Sequence, residues 1–247
     1  MGTLDVAAIE TASGTDVGRV RAVNQDRCEE FQISTGARLL VLADGMGGHA
    51  GGEHASRIAV DTIGEVFCNE RGEAVLTLRR AFDAANEAIL REARHRSELH
   101  GMGTTAVALL ISPDGAWTAN VGDSRAYRVR DMEIDLLTED HSVVFEAVRL
   151  GRITPSEART HPLRNRLLRC LGLESGVSVD VEHVDIACGD RFLLCSDGLW
   201  GELEERELCA VLATERPDDA VRILIERANE SGGEDNITVQ VAAIPGS

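Results

Sequence analysis

A chain of 247 residues with 43% apolar side chains is long enough to bury a substantial core. Its net charge of −17 excludes nucleic acid as an expected partner, because phosphate backbones are bound through clustered positive charge. All 25 basic residues are arginine, which also excludes a Walker A loop, a lysine Schiff base and a kinase-type phosphate lysine.

The apolar runs RLLVLAD and TTAVALLI fall well short of the roughly 20 residues of a membrane span. The segment MGTLDVAAIETASG lacks the basic start and long apolar stretch of an export signal. The six cysteines contain no C-x-x-C pair and are read as reduced thiols, with Cys188, Cys195 and Cys209 in apolar contexts. A cytoplasmic monomer without membrane contact is therefore expected.

In chain order, Ala55, Ile58, Ala59, Thr62, Ile63, Val66 and Phe67 share one helical face, and after an NERG turn Val75, Leu78, Phe82, Ala85 and Ile89 share another. This predicts two antiparallel helices, each burying one stripe. Strand-like segments follow at 104–111, 115–121 and 124–130, joined by SPD and GD turns that suit antiparallel neighbours. Residues 141–172 are polar and helical in tendency, with a start signal at Pro155, and are read as an excursion beside the core. Strands are predicted at 177–186 and 191–197, then a helix over ELEERELCAVLA. A further helix starts at Pro217 with Asp218 and Asp219 in its first turn and ends at Gly232 and Gly233, and NITVQVAAI closes as a strand. Strands mixed with paired long helices, without βα alternation, predict a layered α+β sandwich in one domain over 1–247.

Several aspartates occupy matching positions at strand ends beside glycine or asparagine: Asp44 in VLADG, Asp123 in NVGDS, Asp197 in LLCSDG and Asp235 in GEDNITV, with Asp26 in VNQDR a weaker fifth. If those ends converge, the carboxylates require cations, and oxygen-only ligands favour Mg²⁺ or Mn²⁺. The competing reading is that each is an ordinary turn aspartate. A dinucleotide loop is a third reading, because Gly45, Gly47 and Ala50 satisfy G-x-G-x-x-A with Glu65 downstream. Asp44 would then sit beside the pyrophosphate, and the chain does not alternate βαβ. No cysteine is followed six positions on by arginine, and no D-x-D-x-T or HD motif occurs, which leaves water activated by metal as the nucleophile of a phosphate hydrolase. Such a site needs a phosphate clamp, for which Arg21 is the candidate, and an acid for the leaving oxygen, for which His49 is the candidate.

The segments TDVGRVRAVNQD, VLADGMGGHAGGE, GMGTTAV, ANVGDSRAY, LTEDHS, HPLRNRLLRCLG, LLCSDGLW and EDNITVQV, in this order from about residue 10 to 244, resemble the PPM or PP2C family of metal-dependent serine/threonine phosphatases, especially its compact bacterial members. The resemblance implies a four-layer αββα sandwich, with two antiparallel β-sheets flanked by antiparallel helix pairs and a flap at about 141–167. Asp44 would bridge two Mn²⁺ or Mg²⁺ ions, with the Gly45 carbonyl completing one and Asp197 and Asp235 holding the other. Asp123 would bind a third, weaker ion, and Asp26 would act through a water on an ion. Arg21 would hold the phosphate and His49 would protonate the leaving serine or threonine oxygen. Partners would be phosphorylated proteins of a Ser/Thr kinase pathway, with Arg152, Arg164, Arg166 and Arg169 of the flap region available to an acidic substrate. A catalytically weak phosphoprotein-binding domain of the same fold is the alternative, against which the intact aspartate set argues.

Overall fold

Strand alternation and helix stripes sort the apolar residues into three separate layers. This is seen in a computed structural model that describes residues 6–47, 51–70 and 72–246. In β3 (Arg38–Met46), Leu39, Val41 and Ala43 face one way and Leu40 and Leu42 the other; in β5 (Ala106–Ser112), Ala106, Ala108 and Leu110 alternate with Val107, Leu109 and Ile111. The first set packs under helices α1 (Gly51–Asn69) and α2 (Ala74–His95), against Ala59, Ile63, Phe82 and Ile89. The second set packs against the other sheet, where Phe192 and Leu194 of β10 (Arg191–Cys195) and Ala242 of β11 (Ile237–Ala243) meet it. The remaining faces of β10 and β11, with Leu193, Val239 and Val241, are covered by Leu208 and Leu212 of α6 (Glu205–Thr214) and by Val221 and Leu224 of α7 (Pro217–Ser231). Two-sided burial explains why the central strands are nearly continuous apolar runs.

One sheet has the order β1-β11-β10-β7-β8, with β1 at Glu10–Asp16, β7 at Arg125–Arg130 and β8 at Glu133–Leu136. The other has the order β2-β3-β5-β6-β9, with β2 at Asp26–Gln32, β6 at Gly115–Val121 and β9 at Asp180–Val184; the short β4 (Gly103–Thr104) pairs with β3. Neighbouring strands in both sheets pair antiparallel, so the αββα sandwich expected from the sequence is the architecture found.

The predicted excursion at 141–172 holds two short helices, α3 (Val143–Arg149) and α4 (Pro155–Arg159). Ser142 caps the first, and a Thr154–Glu157 capping box with Pro155 starts the second. Three expectations need correction. The strand expected at 177–186 shortens to β9, and the strand expected to run to residue 197 stops at Cys195, so that Asp197 opens the short helix α5 (Asp197–Trp200). Strands β1, β2 and β8 went unpredicted, because ETASGTD, DRCEEFQ and EIDL carry few apolar side chains and lie at sheet edges.

Candidate active site

At one end of the sandwich the layer between the sheets turns from apolar to polar. Thr105, Ser124, Ser196, Thr238 and Gln240 are all buried there. Asp26 and Asp44 lie side by side as a cross-strand pair at the ends of β2 and β3. From the other sheet come Asp197, two residues after β10, and Asp235, two residues before β11. Asp123 lies in the turn that carries the chain from β6 in one sheet to β7 in the other.

The hydroxyls fix the carboxylates. Asp26 Oδ2 accepts from Ser196 Oγ at 2.8 Å and from Thr238 Oγ1 at 2.7 Å, which joins the two sheets through one carboxylate. The Asp44 backbone is held on both sides: its N–H donates to Thr105 Oγ1 at 3.0 Å, and its carbonyl accepts from Thr104 Oγ1 at 2.7 Å. Gly45 donates its N–H to the Gln25 carbonyl at 3.2 Å, and a Cβ there would run into the carbonyl oxygens of Gly52 and Gln25, so only glycine permits this close approach.

Burial and mutual repulsion raise the proton affinity of the group. Burial pushes Asp26 up to about 7; its two hydroxyl partners counter this in part, and the charges of Asp197 and Asp235 add to it. Asp197 is pushed up to about 6 by burial and then by Asp235. Asp44 is raised well above the ordinary carboxylate range by burial, then by Asp26, Asp197, Asp123 and Asp235. Burial followed by Asp197 and Asp140 does the same to Asp123. The Asp26–Asp44 cross-strand pair and the Asp26 bonds to Ser196 and Thr238 bring the ends of β2, β3, β10 and β11 into one compartment.

The oxygens Asp26 Oδ1 and Asp197 Oδ1 are buried with no hydrogen-bond partner. Buried carboxylate oxygens left without donors suit a cation, and an all-oxygen donor set suits a hard divalent ion. Among the described residues no three His, Cys, Asp or Glu side chains stand arranged to hold an ion between them. The fit to ions therefore rests on donor chemistry, shared burial and the two bare oxygens.

Arg21 does not stand free over the carboxylates. Its guanidinium is half exposed and ion-pairs with Asp235 Oδ2 at 2.6 Å, while Asp235 Oδ1 accepts the Asn236 N–H at 2.9 Å. Arg21, the expected phosphate clamp, is thus already partnered by Asp235, a carboxylate expected to hold an ion. His49 lies outside the described residues. Among the flap arginines, Arg164 approaches Glu234 at 3.6 Å and Arg169 binds Asp180 at 2.8 Å.

Several residues that build the site were not singled out from the sequence. Ser196 and Thr238 clamp Asp26, and Asn236 ties the Arg21 loop down, accepting from Gln25 N at 2.9 Å and donating to the Val17 and Val23 carbonyls at 3.0 and 3.1 Å. Their only sequence signal is that each stands beside, or close to, a flagged aspartate in LLCSDG or EDNITV.

The family model described as protein phosphatase 2C matches residues 13–236. The chain is 40% identical over 233 residues to the serine/threonine phosphatase stp of Listeria monocytogenes, covering 91% of this chain and 92% of that one. The crystal structure of the serine/threonine phosphatase Stp1 from Staphylococcus aureus is similar at 36% identity with a TM-score of 0.89, covering 96% of each chain. The catalytic domain of the serine/threonine protein phosphatase PstP, in complex with two manganese ions, is similar at 37% identity with a TM-score of 0.84, covering 96% of this chain and 98% of that one.

Proposed function

Starting from the premise that the chain belongs to the protein phosphatase 2C family, we propose a specific division of labour among its residues in the hydrolysis of phosphoserine and phosphothreonine on proteins. It is a serine/threonine protein phosphatase that uses divalent metal ions. Asp44, Asp197 and Asp235, with the Gly45 carbonyl, hold two Mn²⁺ or Mg²⁺ ions, and Asp123 serves a third, weaker one. When bound, such ions acidify water toward neutral pH and offset negative charge on the reacting phosphate.

The other roles belong to the chain itself. Asp26, tethered by Ser196 and Thr238, orients water at the floor of the site. Arg21 exchanges Asp235 for the substrate phosphate, which its guanidinium can grip in a bidentate manner. His49 protonates the leaving serine or threonine oxygen. The polar, hydroxyl-lined end of the inter-sheet layer holds Asp26 and the Asp44 main chain, so little reorganisation of these two is needed when substrate arrives.

The substrates are phosphorylated proteins in a Ser/Thr kinase pathway. No described helix is long and apolar enough to cross a membrane. A cytoplasmic monomer folded as one domain is the setting we propose; cysteines that form no disulfide among the described residues support a reducing compartment.

The convergence of buried Asp26 and Asp123 with half-buried Asp44 and Asp197 at one end of the sandwich carries this reading. It is tested by turnover of a phosphothreonine peptide with and without Mn²⁺, in the wild type and in Asp44→Asn and Asp197→Asn. The variants should lose nearly all activity. Full turnover by either, or by wild type in chelator, would overturn the assignment.

A further inference from the structure

His141 meets both backbone polar groups of Gly122, the residue before Asp123, and Asn120 Nδ2 adds a longer bond to the Gly122 carbonyl at 3.4 Å. The Gly122 N–H donates to His141 Nδ1 at 3.1 Å, and the Gly122 carbonyl accepts the His141 N–H at 2.8 Å. Gly122 sits at a φ of 115°, where a Cβ would also strike Thr105, so only glycine fits the turn that these bonds hold.

With Nδ1 accepting, the ring proton is on Nε2, which faces Asp180 Oδ2 at 3.0 Å. The other Asp180 oxygen accepts from Arg169 at 2.8 Å. His141 is itself 4% exposed, and its carbonyl accepts the Leu168 N–H at 2.7 Å. A continuous chain of bonds therefore runs from Arg169 and Leu168, where the 141–172 excursion returns, through Asp180 and His141 to the Asp123 turn.

The preceding residue grips the far end of the same turn. Asp140 accepts two bonds from Arg125, at 2.9 and 2.7 Å, and the Arg125 guanidinium lies 3.7 Å from the centre of the Trp200 ring. Trp200 Nε1 then donates to the Asp123 carbonyl at 3.0 Å. Adjacent residues 140 and 141 thus hold residues 122–125 at both ends.

We propose that His141 is a positioning residue, whose Nε2–H imidazole, oriented by Asp180, fixes the turn that presents Asp123 to its ion and couples that turn to the base of the flap. The inference rests on the reading of Asp123 as an ion ligand. Partners that orient a ligand from one step away commonly change metal affinity by about 10- to 100-fold when lost.

Calorimetric titration of the full chain with Mn²⁺, without substrate, tests it. Asp123→Asn should abolish the weakest binding event. His141→Leu should weaken that event by about 10-fold while leaving the tighter ones unchanged. His141→Asn, which keeps an acceptor where Nδ1 stands, should recover most of the loss. If Asp123→Asn removes an ion while His141→Leu binds as wild type, His141 has no positioning role. If Asp123→Asn changes no binding event, the ligand reading of Asp123 has failed, and the inference with it. Should His141→Leu not fold, Asp180→Leu serves instead, because it strips the acceptor from Nε2 without touching Gly122; unchanged Mn²⁺ binding in that variant would overturn the proposal. Nitrogen-15 shifts of the His141 ring should report the Nε2–H tautomer, and an Nδ1–H signature would also overturn it.

Discussion

Replacing Asn236 with alanine isolates what holds the Arg21 loop to the rest of the site. Asn236 is 5% exposed, and its amide makes three bonds to the main chain of residues 17–25: it accepts from Gln25 N and donates to the carbonyls of Val17 and Val23. At roughly 1 kcal/mol net for each intramolecular bond, the loss amounts to about 3 kcal/mol. Val23 is exposed and its carbonyl can be rehydrated, which brings the expectation to about 2–3 kcal/mol. For a chain of this size each kcal/mol moves the melting temperature by about 2–4 °C, so a fall of about 4–12 °C is expected by calorimetry or circular dichroism in chelator. Asp235 keeps its bond from the Asn236 N–H, because that donor is main chain. The functional loss should therefore fall on Arg21: KM for a phosphopeptide should rise while kcat with saturating substrate and Mn²⁺ changes less. Asn236→Asp, which keeps the acceptor for Gln25 but sets a carboxylate oxygen against the Val17 and Val23 carbonyls beside Asp235, should cost more than alanine. A variant with wild-type melting temperature and KM would refute the reasoning.

Gly64→Ala should destabilise the protein even though alanine is the better helix former, because a Cβ at Gly64 of α1 would enter the ring of Phe31 on β2. Overpacking of about 1–3 kcal/mol outweighs a helix gain of about 1 kcal/mol, and a stabilised variant by chemical denaturation would contradict this. Burial lowers the His141 pKa, with Asp180 opposing, Arg169 adding to the depression and Asp140 opposing. Below its ordinary value near 6.5 the unfolded chain takes up a proton that the folded ring resists, so this contribution to stability is present at neutral pH and lost as pH falls. The stability difference between wild type and His141→Asn should accordingly shrink between pH 7 and pH 5, and a difference that grew with acid would contradict the direction. Mn²⁺ at 100 times its dissociation constant should stabilise the chain by about 2.7 kcal/mol per ion bound only by the folded state, measured as a rise in melting temperature that chelator reverses. No rise would contradict the ion-binding compartment.

The interior of this fold is legible in the sequence and its rim is not. Strands β3, β5, β10 and β11 are buried on both faces, so their apolar runs stand out against any neighbour. The edge strands β1, β2, β8 and β9 have one partner each and a weaker burial pattern, and three of the four carry no clear apolar signal. The carboxylates were legible for a similar reason, since a glycine or asparagine beside an aspartate at the end of an apolar run is a local pattern. The groups that aim them are not local: Thr238 lies 212 residues from the Asp26 it binds, and His141 lies 19 residues from Gly122. Nor could spacing reveal that Arg21 would lie against Asp235, because that pair forms across 214 residues of chain.

The five aspartates are divided between the two sheets, with Asp26 and Asp44 on one, Asp197 and Asp235 on the other and Asp123 on the crossing. Ions held among them would act as rivets through the sandwich, opposing any sliding of one sheet over the other. Without such ions the like charges press the same two layers apart, against the Asp26 bonds to Ser196 and Thr238 and the Asn236 bond from Gln25 N. Release of the ions and loosening of that end of the sandwich then become one motion. Amide exchange near the start of β2 and β11 should track the metal concentration, while the apolar layer around Leu40, Leu109 and Phe192 keeps its own pace.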